Sequence, residues 1–419
     1  MKKHIFSGLI AAFMLLMQLQ TIAQINPVAI SDNYYKGIVK ILLFDPVLAQ
    51  VDEESLGYLG RGTGFFVTTD GIIFTNRHVI EQCVYGYVMY EDKKGEYGIE
   101  TYFKGIEKDP AVKCIAYSGY TIPIVQVYHG RGPNDYKLYL AEVLTMSDAY
   151  DGAVMRIVSD IDGNAVTTPF TALPIGNSDL CKQGEDLVVM GYPAQYSGNY
   201  DLALKDMITF TKGYHSGWDF VFNPDYGFIK TDAAINAGNS GGPVFGKDNK
   251  VIGIASAKGI ATNIGLVGGI NGMYYVVAPK ANVFKALIAK GLTPPEKAEN
   301  ITVTTGEQKA MPKFALCGES TSSGKKTTVT GIVKSADTGK PIKNAVVGLL
   351  IYDAKKDDFI VVSGGYSGPD GKFKMEPDVT LDTDYGLACM ADGYNDLVDV
   401  IKITSNTNYL TVTLAKARK

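Results

Sequence analysis

The stretch Gly238-Asn239-Ser240-Gly241-Gly242-Pro243, continuing through Val244-Phe245, a turn at Gly246–Lys250 and Val251-Ile252-Gly253-Ile254-Ala255, decides how the rest of this sequence is read. Its second half is two short apolar runs around a turn, the pattern of a β-hairpin. Its first half sets glycines on both sides of a serine. Glycine lets the backbone turn tightly and gather amide N–H groups into a concave nest. A serine hydroxyl is a poor nucleophile, and to act as one it needs a neighbouring base and donors for the oxyanion it creates. The amides of Gly238 and Ser240 are the pair expected to supply those donors. A Gly-rich turn with no chemistry would look the same, so the serine has to be weighed with the residues it could meet.

The chain contains four histidines. His4 lies in the amino-terminal apolar segment, and His129 and His215 lie in Gly- and Tyr-rich surroundings with no obvious partner. His78 is different. It follows a hairpin made of Gly64-Phe65-Phe66-Val67-Thr68, the turn Thr69-Asp70-Gly71, and Ile72-Ile73-Phe74-Thr75, and it sits in Asn76-Arg77-His78-Val79-Ile80. An Asp-Gly pair between β-branched runs is a strong hairpin signal. A base of this kind works with a buried carboxylate that fixes its tautomer. Asp151 is the expected partner because it directly precedes the strand-like Gly152-Ala153-Val154-Met155-Arg156-Ile157, with Asp148 as the competitor three residues earlier. The order His78, Asp151, Ser240 is that of chymotrypsin-like folds, not of subtilisin or the α/β-hydrolases.

Two long segments carry a family resemblance. Gly62-Thr63-Gly64-Phe65-Phe66-Val67 through His78-Val79-Ile80, and Phe228-Ile229-Lys230-Thr231-Asp232-Ala233-Ala234-Ile235-Asn236-Ala237-Gly238-Asn239-Ser240-Gly241-Gly242-Pro243, resemble the His and Ser regions of the high-temperature-requirement (Deg-type) trypsin-like serine proteases. The resemblance covers about 30–291. It implies an all-β, chymotrypsin-like double β-barrel, two perpendicular six-stranded barrels with the triad in the cleft between them, and peptide-bond hydrolysis through an acyl-enzyme. In such folds the residue six before the nucleophile, here Ala234, lines the base of the specificity pocket. An uncharged base favours small or apolar side chains before the cut, and Ser256 and Lys258, on the strand expected to bind the substrate backbone, are expected to narrow the choice further. Asn239 replaces the aspartate with which pancreatic-type relatives bind a freed amino terminus, so activity without amino-terminal cleavage is expected. Gly152 departs from the larger apolar residue usual after the aspartate. The long Tyr-rich span from His78 to Asp151 predicts extra strands or a loop over the cleft. No PDZ-like sequence follows, so the caging and chaperone behaviour tied to such domains is not carried over.

Composition agrees with this reading and narrows it. The chain has 419 residues, 46% of them apolar, enough for a core and too many for a single ordinary domain. Lys and Arg number 40 against 44 Asp and Glu, a net charge of −4 that offers no basic field to a nucleic acid. Lys2 and Lys3 ahead of the apolar run Ile5–Met17 and Thr21-Ile22-Ala23 predict a signal peptide over 1–23. That run is too short to span a bilayer, so no integral membrane segment is expected in a periplasmic or secreted protein. Five cysteines leave at least one unpaired; their spacing suggests no metal site, and one bridge, Cys83–Cys114, is allowed. No cofactor is expected.

Beyond a linker over 292–326, marked by Pro294-Pro295 and the polar run Ser320–Gly324, about seven short strands predict a small antiparallel β-sandwich over 327–416. Val329-Thr330-Gly331-Ile332-Val333, Thr338-Gly339-Lys340-Pro341-Ile342, Asp370-Gly371-Lys372-Phe373 and Asp392-Gly393-Tyr394 resemble carboxypeptidase regulatory-like (transthyretin-like) domains. The module holds no catalytic cluster, and its expected part is binding, orientation or stability. The whole reads as an exported serine endopeptidase acting on protein or peptide. The alternative is a surface or periplasmic binding protein on an inactive protease scaffold. The oligomeric state is not read from the sequence.

Overall fold

The computed structural model describes residues 25–50, 57–147, 149–194, 200–220, 227–258, 264–292, 308–317, 325–353, 358–379, 383–404 and 407–417. The expected signal peptide and Asp148 lie outside them, as do 293–307 and 318–324 of the expected linker.

The first barrel closes in the order β1-β2-β3-β9-β8-β7. Its strands are β1 (Ile38–Phe44), β2 (Tyr58–Phe66), β3 (Ile72–Thr75), β7 (Ile122–Tyr128), β8 (Tyr136–Ser147) and β9 (Gly152–Asp160), with β4 (Tyr87–Asp92), β5 (Tyr97–Thr101) and β6 (Val112–Gly119) inserted between β3 and β7. The hairpin read from Asp70-Gly71 is present, with Phe65 opposite Phe74 and Phe66 opposite Ile73. Its apolar side chains fill the barrel: Val39, Ile41, Phe66, Ile73, Val125 and Met155 are fully buried in one cluster.

The second barrel closes as β10-β11-β12-β15-β14-β13. It comprises β10 (Asp186–Gly191), β11 (Thr209–Asp219), β12 (Phe228–Thr231), β13 (Pro243–Phe245), β14 (Val251–Lys258) and β15 (Gly265–Gly269). This is the chymotrypsin-like arrangement of two six-stranded barrels. A shared cluster joins them, with Phe65, Phe74 and Val154 of the first meeting Val188, Met190, Phe245 and Ile254 of the second. Each such side chain removed from water contributes roughly 1.5–3 kcal/mol before entropy is counted. The helix Ala281–Lys290 buries Phe284 and Leu287, three residues apart and so on one face, on the same cluster.

The carboxy-terminal module has strands β16 (Lys325–Lys326), β17 (Thr328–Ser335), β18 (Val346–Asp353), β19 (Asp358–Tyr366), β20 (Lys372–Met375), β21 (Asp378–Val379), β22 (Thr383–Met390), β23 (Leu397–Ile403) and β24 (Thr407–Leu414). Two sheets, β20-β17-β24 and β19-β18-β22-β23, enclose Val329, Val333, Leu349, Phe373, Leu387 and Cys389. Strict alternation of burial along β17 is the period-2 pattern of a sheet with one face inward. One expectation needs correction: β17 and β24, the first and last long strands, pair in parallel, Thr328 with Thr407 through Ser335 with Leu414. Strand spacing carries no information on pairing direction.

Two further readings change. The disulfide is Cys114–Cys317, not Cys83–Cys114. Cys83 is a buried thiol beside Thr121, and burial pushes it up to about 12. The insertion forms a three-stranded sheet, β5-β4-β6. It holds residues 308–317 through the disulfide, a bridge from Ile115 to Leu316, and Val88, Ile106 and Ile115 packed on Met311, Phe314 and Leu316. That part of the expected linker is therefore docked structure.

Candidate active site

Each barrel delivers one part of the site. At the end of β3 the chain turns at Asn76 into the helix Arg77–Ile80, and Asn76 Nδ2 donates to the Asp151 carbonyl at 2.7 Å. Asp151 stands immediately before β9, which pairs with β3 through Thr75 and Ala153. Adjacent strands of one barrel thus bring residues 73 positions apart together. His78 Nδ1 lies 2.8 Å from Asp151 Oδ2, and the His78 amide donates to Asp151 Oδ1 at 3.1 Å. This two-point contact fixes both the position and the plane of the imidazole. With Nδ1–H directed at the carboxylate, Nε2 is the nitrogen left to accept a proton.

The electrostatics follow from the contacts. Burial disfavours the imidazolium of His78, but the hydrogen bond and charge of Asp151 outweigh it and raise the pKa above the ordinary 6.5. Burial likewise pushes Asp151 upward, and the hydrogen bonds from His78 and Ser256 overcome it, leaving the carboxyl below its usual 3.8. The His78 side chain keeps 44% of its surface exposed, so its ring is open to a substrate on one side.

The serine loop belongs to the second barrel and lies between β12 and β13. Ser240 Oγ donates to the Ser256 carbonyl at 3.0 Å, and among the described residues no hydrogen bond joins it to His78. Around it the glycines are required by space. Gly238 and Gly241 have φ of +90° and +87°. A Cβ on Gly238 would collide with the Tyr192 carbonyl, and one on Gly241 with Thr63 O and Thr75 Oγ1. The Ala237 carbonyl is taken by the Ala194 amide at 2.6 Å and the Asn239 carbonyl by the Gly242 amide at 2.9 Å. In a trans peptide the N–H points opposite its C=O. The N–H groups of Gly238 and Ser240 therefore turn the other way, and among the described residues neither has an acceptor. Two unpaired amides beside a hydroxyl are the donor set an oxyanion requires.

The remaining expected residues fall as follows. Ala234 is exposed, its carbonyl held by Thr211 Oγ1 at 2.9 Å. Ser256 is 6% exposed, its hydroxyl donating to Asp151 Oδ2 at 2.6 Å, so its side chain braces the carboxylate. Lys258 closes β14 opposite Gly265; its side chain is outside the described part. Gly152 has no room for the larger residue usual in the family, because a Cβ would meet Met273 Sδ at 2.7 Å and the Tyr150 ring at 2.8 Å. Asn239 is buried and its Oδ1 has no partner, while the amide of Asn26 is bound to Asn249. The bracing role of Ser256 was missed by the sequence reading; the signal was a lone hydroxyl in the otherwise apolar run Ile252–Ala257.

The fold is that of the chymotrypsin-like double barrel, and comparison with known proteins shows what the chain is similar to. Residues 62–254 match the family described as trypsin-like peptidase domain. A probable periplasmic serine endoprotease DegP-like of Chlamydia pneumoniae is 30% identical over 198 residues, covering 47% of this chain and 28% of that protein. The magnetosome formation protease MamE of Paramagnetospirillum magneticum is 26% identical over 242 residues, covering 58% of this chain and 25% of that protein. The putative serine protease HhoA of Synechocystis is 26% identical, covering 59% and 49%. A crystal structure of Deg5 covers 63% of this chain and 95% of its own at 18% identity, with a TM-score of 0.40. The chain spans about a quarter of the length of the first two relatives. The domain match and the names of these relatives support a serine-type endopeptidase.

Proposed function

We propose that this chain is an exported serine endopeptidase in which His78 is the general base and then acid, Asp151 the orienting carboxylate and Ser240 the nucleophile. The observation that carries the reading is the pairing of His78 Nδ1 with Asp151 at 2.8 Å together with two acceptor-free amides at Gly238 and Ser240. In the first step Ser240 Oγ leaves the Ser256 carbonyl, gives its proton to His78 Nε2 and bonds to the scissile carbonyl carbon. The carbonyl oxygen, now negative, takes the Gly238 and Ser240 N–H groups. His78 then passes that proton to the leaving amine as the C–N bond breaks, and water, deprotonated by His78, releases the acyl group from Ser240. Catalytic hydrogen bonds often tighten only with substrate bound, which accounts for the Ser240 rotamer.

Ala234 supports cleavage after small or apolar residues. The division into a signal peptide over 1–23, a protease domain over 30–291 and a transthyretin-like sandwich over 327–416 belongs to the same reading. The DegP-like relatives are named as periplasmic, and a periplasmic or secreted location fits a leader of this composition. The test is digestion of a peptide mixture by the full chain and by Ser240→Ala. Internal cuts after small or apolar residues, absent from the variant, are expected; identical digestion patterns from both would reject the assignment.

A further inference from the structure

Thr63 lies on β2 of the first barrel, in Gly62-Thr63-Gly64, and is fully buried. It makes more polar contacts to the serine loop of the second barrel than any packing role requires. Its amide donates to the Ser240 carbonyl at 2.8 Å. Its hydroxyl donates to the Gly238 carbonyl at 2.6 Å and accepts from the Tyr192 amide at 3.0 Å. Its own carbonyl accepts from Thr75 Oγ1 at 2.7 Å, three residues before His78.

These contacts bear on the two oxyanion donors. A donor N–H lies in the peptide plane before its Cα, and holding the plane after that Cα limits how far the donor can swing about it. Before Gly238 the plane is held through Ala237 O by the Ala194 amide, and after Gly238 it is held through Gly238 O by the Thr63 hydroxyl. Before Ser240 the plane is held by the Gly242 amide, and after Ser240 by the Thr63 amide. One residue therefore supplies a restraint to each donor. The direction of its hydroxyl is not free: a lone pair is occupied by the Tyr192 amide, which leaves the proton for Gly238 O. Tyr192 in turn begins the Tyr192-Pro193-Ala194 segment that holds Ala237 O. Two residues earlier on β2, Arg61 Nη2 donates to the Pro193 carbonyl at 2.7 Å and pairs with Asp206 at 3.0 Å, steadying that segment from the same strand.

We propose that Thr63 is a positioning residue for catalysis: from the opposite barrel, its hydroxyl holds Gly238 O and so steadies the backbone that carries the Gly238 amide, while its own amide holds Ser240 O. The inference rests on the serine-peptidase reading above. Glycine at 238 leaves the backbone free to rotate unless something holds it, and misplacement by about 1 Å at such a site costs on the order of 100-fold.

The experiment compares the full chain with Thr63→Val, which keeps the shape and removes the hydroxyl, and with Thr63→Ser, which keeps the hydroxyl. Three quantities are read: kcat and KM on one cleaved peptide, affinity for the corresponding peptide aldehyde, whose hemiacetal places an oxyanion in the hole, and the melting temperature. The expected result is a roughly 10- to 100-fold loss of kcat in Thr63→Val with KM within about twofold. Aldehyde affinity should fall by the same factor, and Thr63→Ser should recover both. If Thr63→Val does not fold, the smaller Thr63→Ala is read in its place. Unchanged kcat, a kcat loss not shared by the aldehyde, or a requirement for folding alone in both variants overturns the inference while leaving Ser240 as nucleophile. A wild-type chain that neither cleaves peptides nor binds the aldehyde overturns the peptidase reading and the inference together.

Discussion

Between the two barrels, around the serine loop, contact is made by directed hydrogen bonds on a backbone with no room for a Cβ: Thr63 to Gly238, Ser240 and Tyr192, with Gly241 pressed on Thr63 and Thr75. Between the insertion sheet and the sandwich, Val47 and Tyr117 pack on Leu350, Val361 and Ala388. Beneath them Asp45 accepts the hydroxyls of Tyr87 and Tyr117 at 2.7 and 2.9 Å, and the Cys114–Cys317 bridge ties down the connecting segment. The first seam depends on direction, because a hydrogen bond to an oxyanion weakens steeply as the amide turns away from it. The second depends on area and a covalent tie, which tolerate small shifts. Substitutions at the first should damage turnover, and those at the second should damage stability or attachment while sparing the chemistry.

The strongest test of that contrast is Asp151→Asn. It keeps the shape of the site and removes the charge that selects the His78 tautomer, so kcat is expected to fall about 10⁴-fold with little change in melting temperature, measured by steady-state hydrolysis. Gly241→Ala puts a Cβ into Thr63 O at a φ of +87°, and a loss above about 4 kcal/mol is expected in urea unfolding. If that variant were stable and active, the packing account of the first seam would be wrong. At the second seam, replacing Cys114 and Cys317 together by serine should cost about 2–5 kcal/mol and speed proteolytic nicking near residues 308–317. Hydrolysis of a short peptide should stay within about twofold, and a large loss would mean that the seams are coupled.

The smallest effect concerns pH. His78 must be neutral to accept a proton, and its pKa in the folded chain is raised above 6.5. Activity is therefore retained above that raised value and lost as pH falls through it. The acid limb of kcat/KM should have its midpoint above 6.5, and Asp151→Asn should move it down.

Local patterns were readable and long-range partners were not. The hairpins around Asp70-Gly71 and Gly246–Lys250 appear as β2–β3 and β13–β14, because turn residues between β-branched runs act over a few positions. The seven short strands expected over 327–416 correspond to β17–β20 and β22–β24. The Cys114–Cys317 pairing spans 203 residues, and sequence spacing sets no such distance. The parallel pairing of β17 with β24 is likewise decided by tertiary contact. At the candidate site, His78 and Ser240 stood out through their flanking motifs. Thr63 and Ser256 did not, because a buried hydroxyl shows its value only through its partners.

The account depends on Ser240 being an activated hydroxyl, and covalent labelling measures this most directly. The full chain treated with a fluorophosphonate and mapped by mass spectrometry is predicted to carry a single adduct on Ser240, lost in Ser240→Ala and strongly reduced in His78→Ala. Folded protein that takes no label, or takes it on another residue, would contradict it.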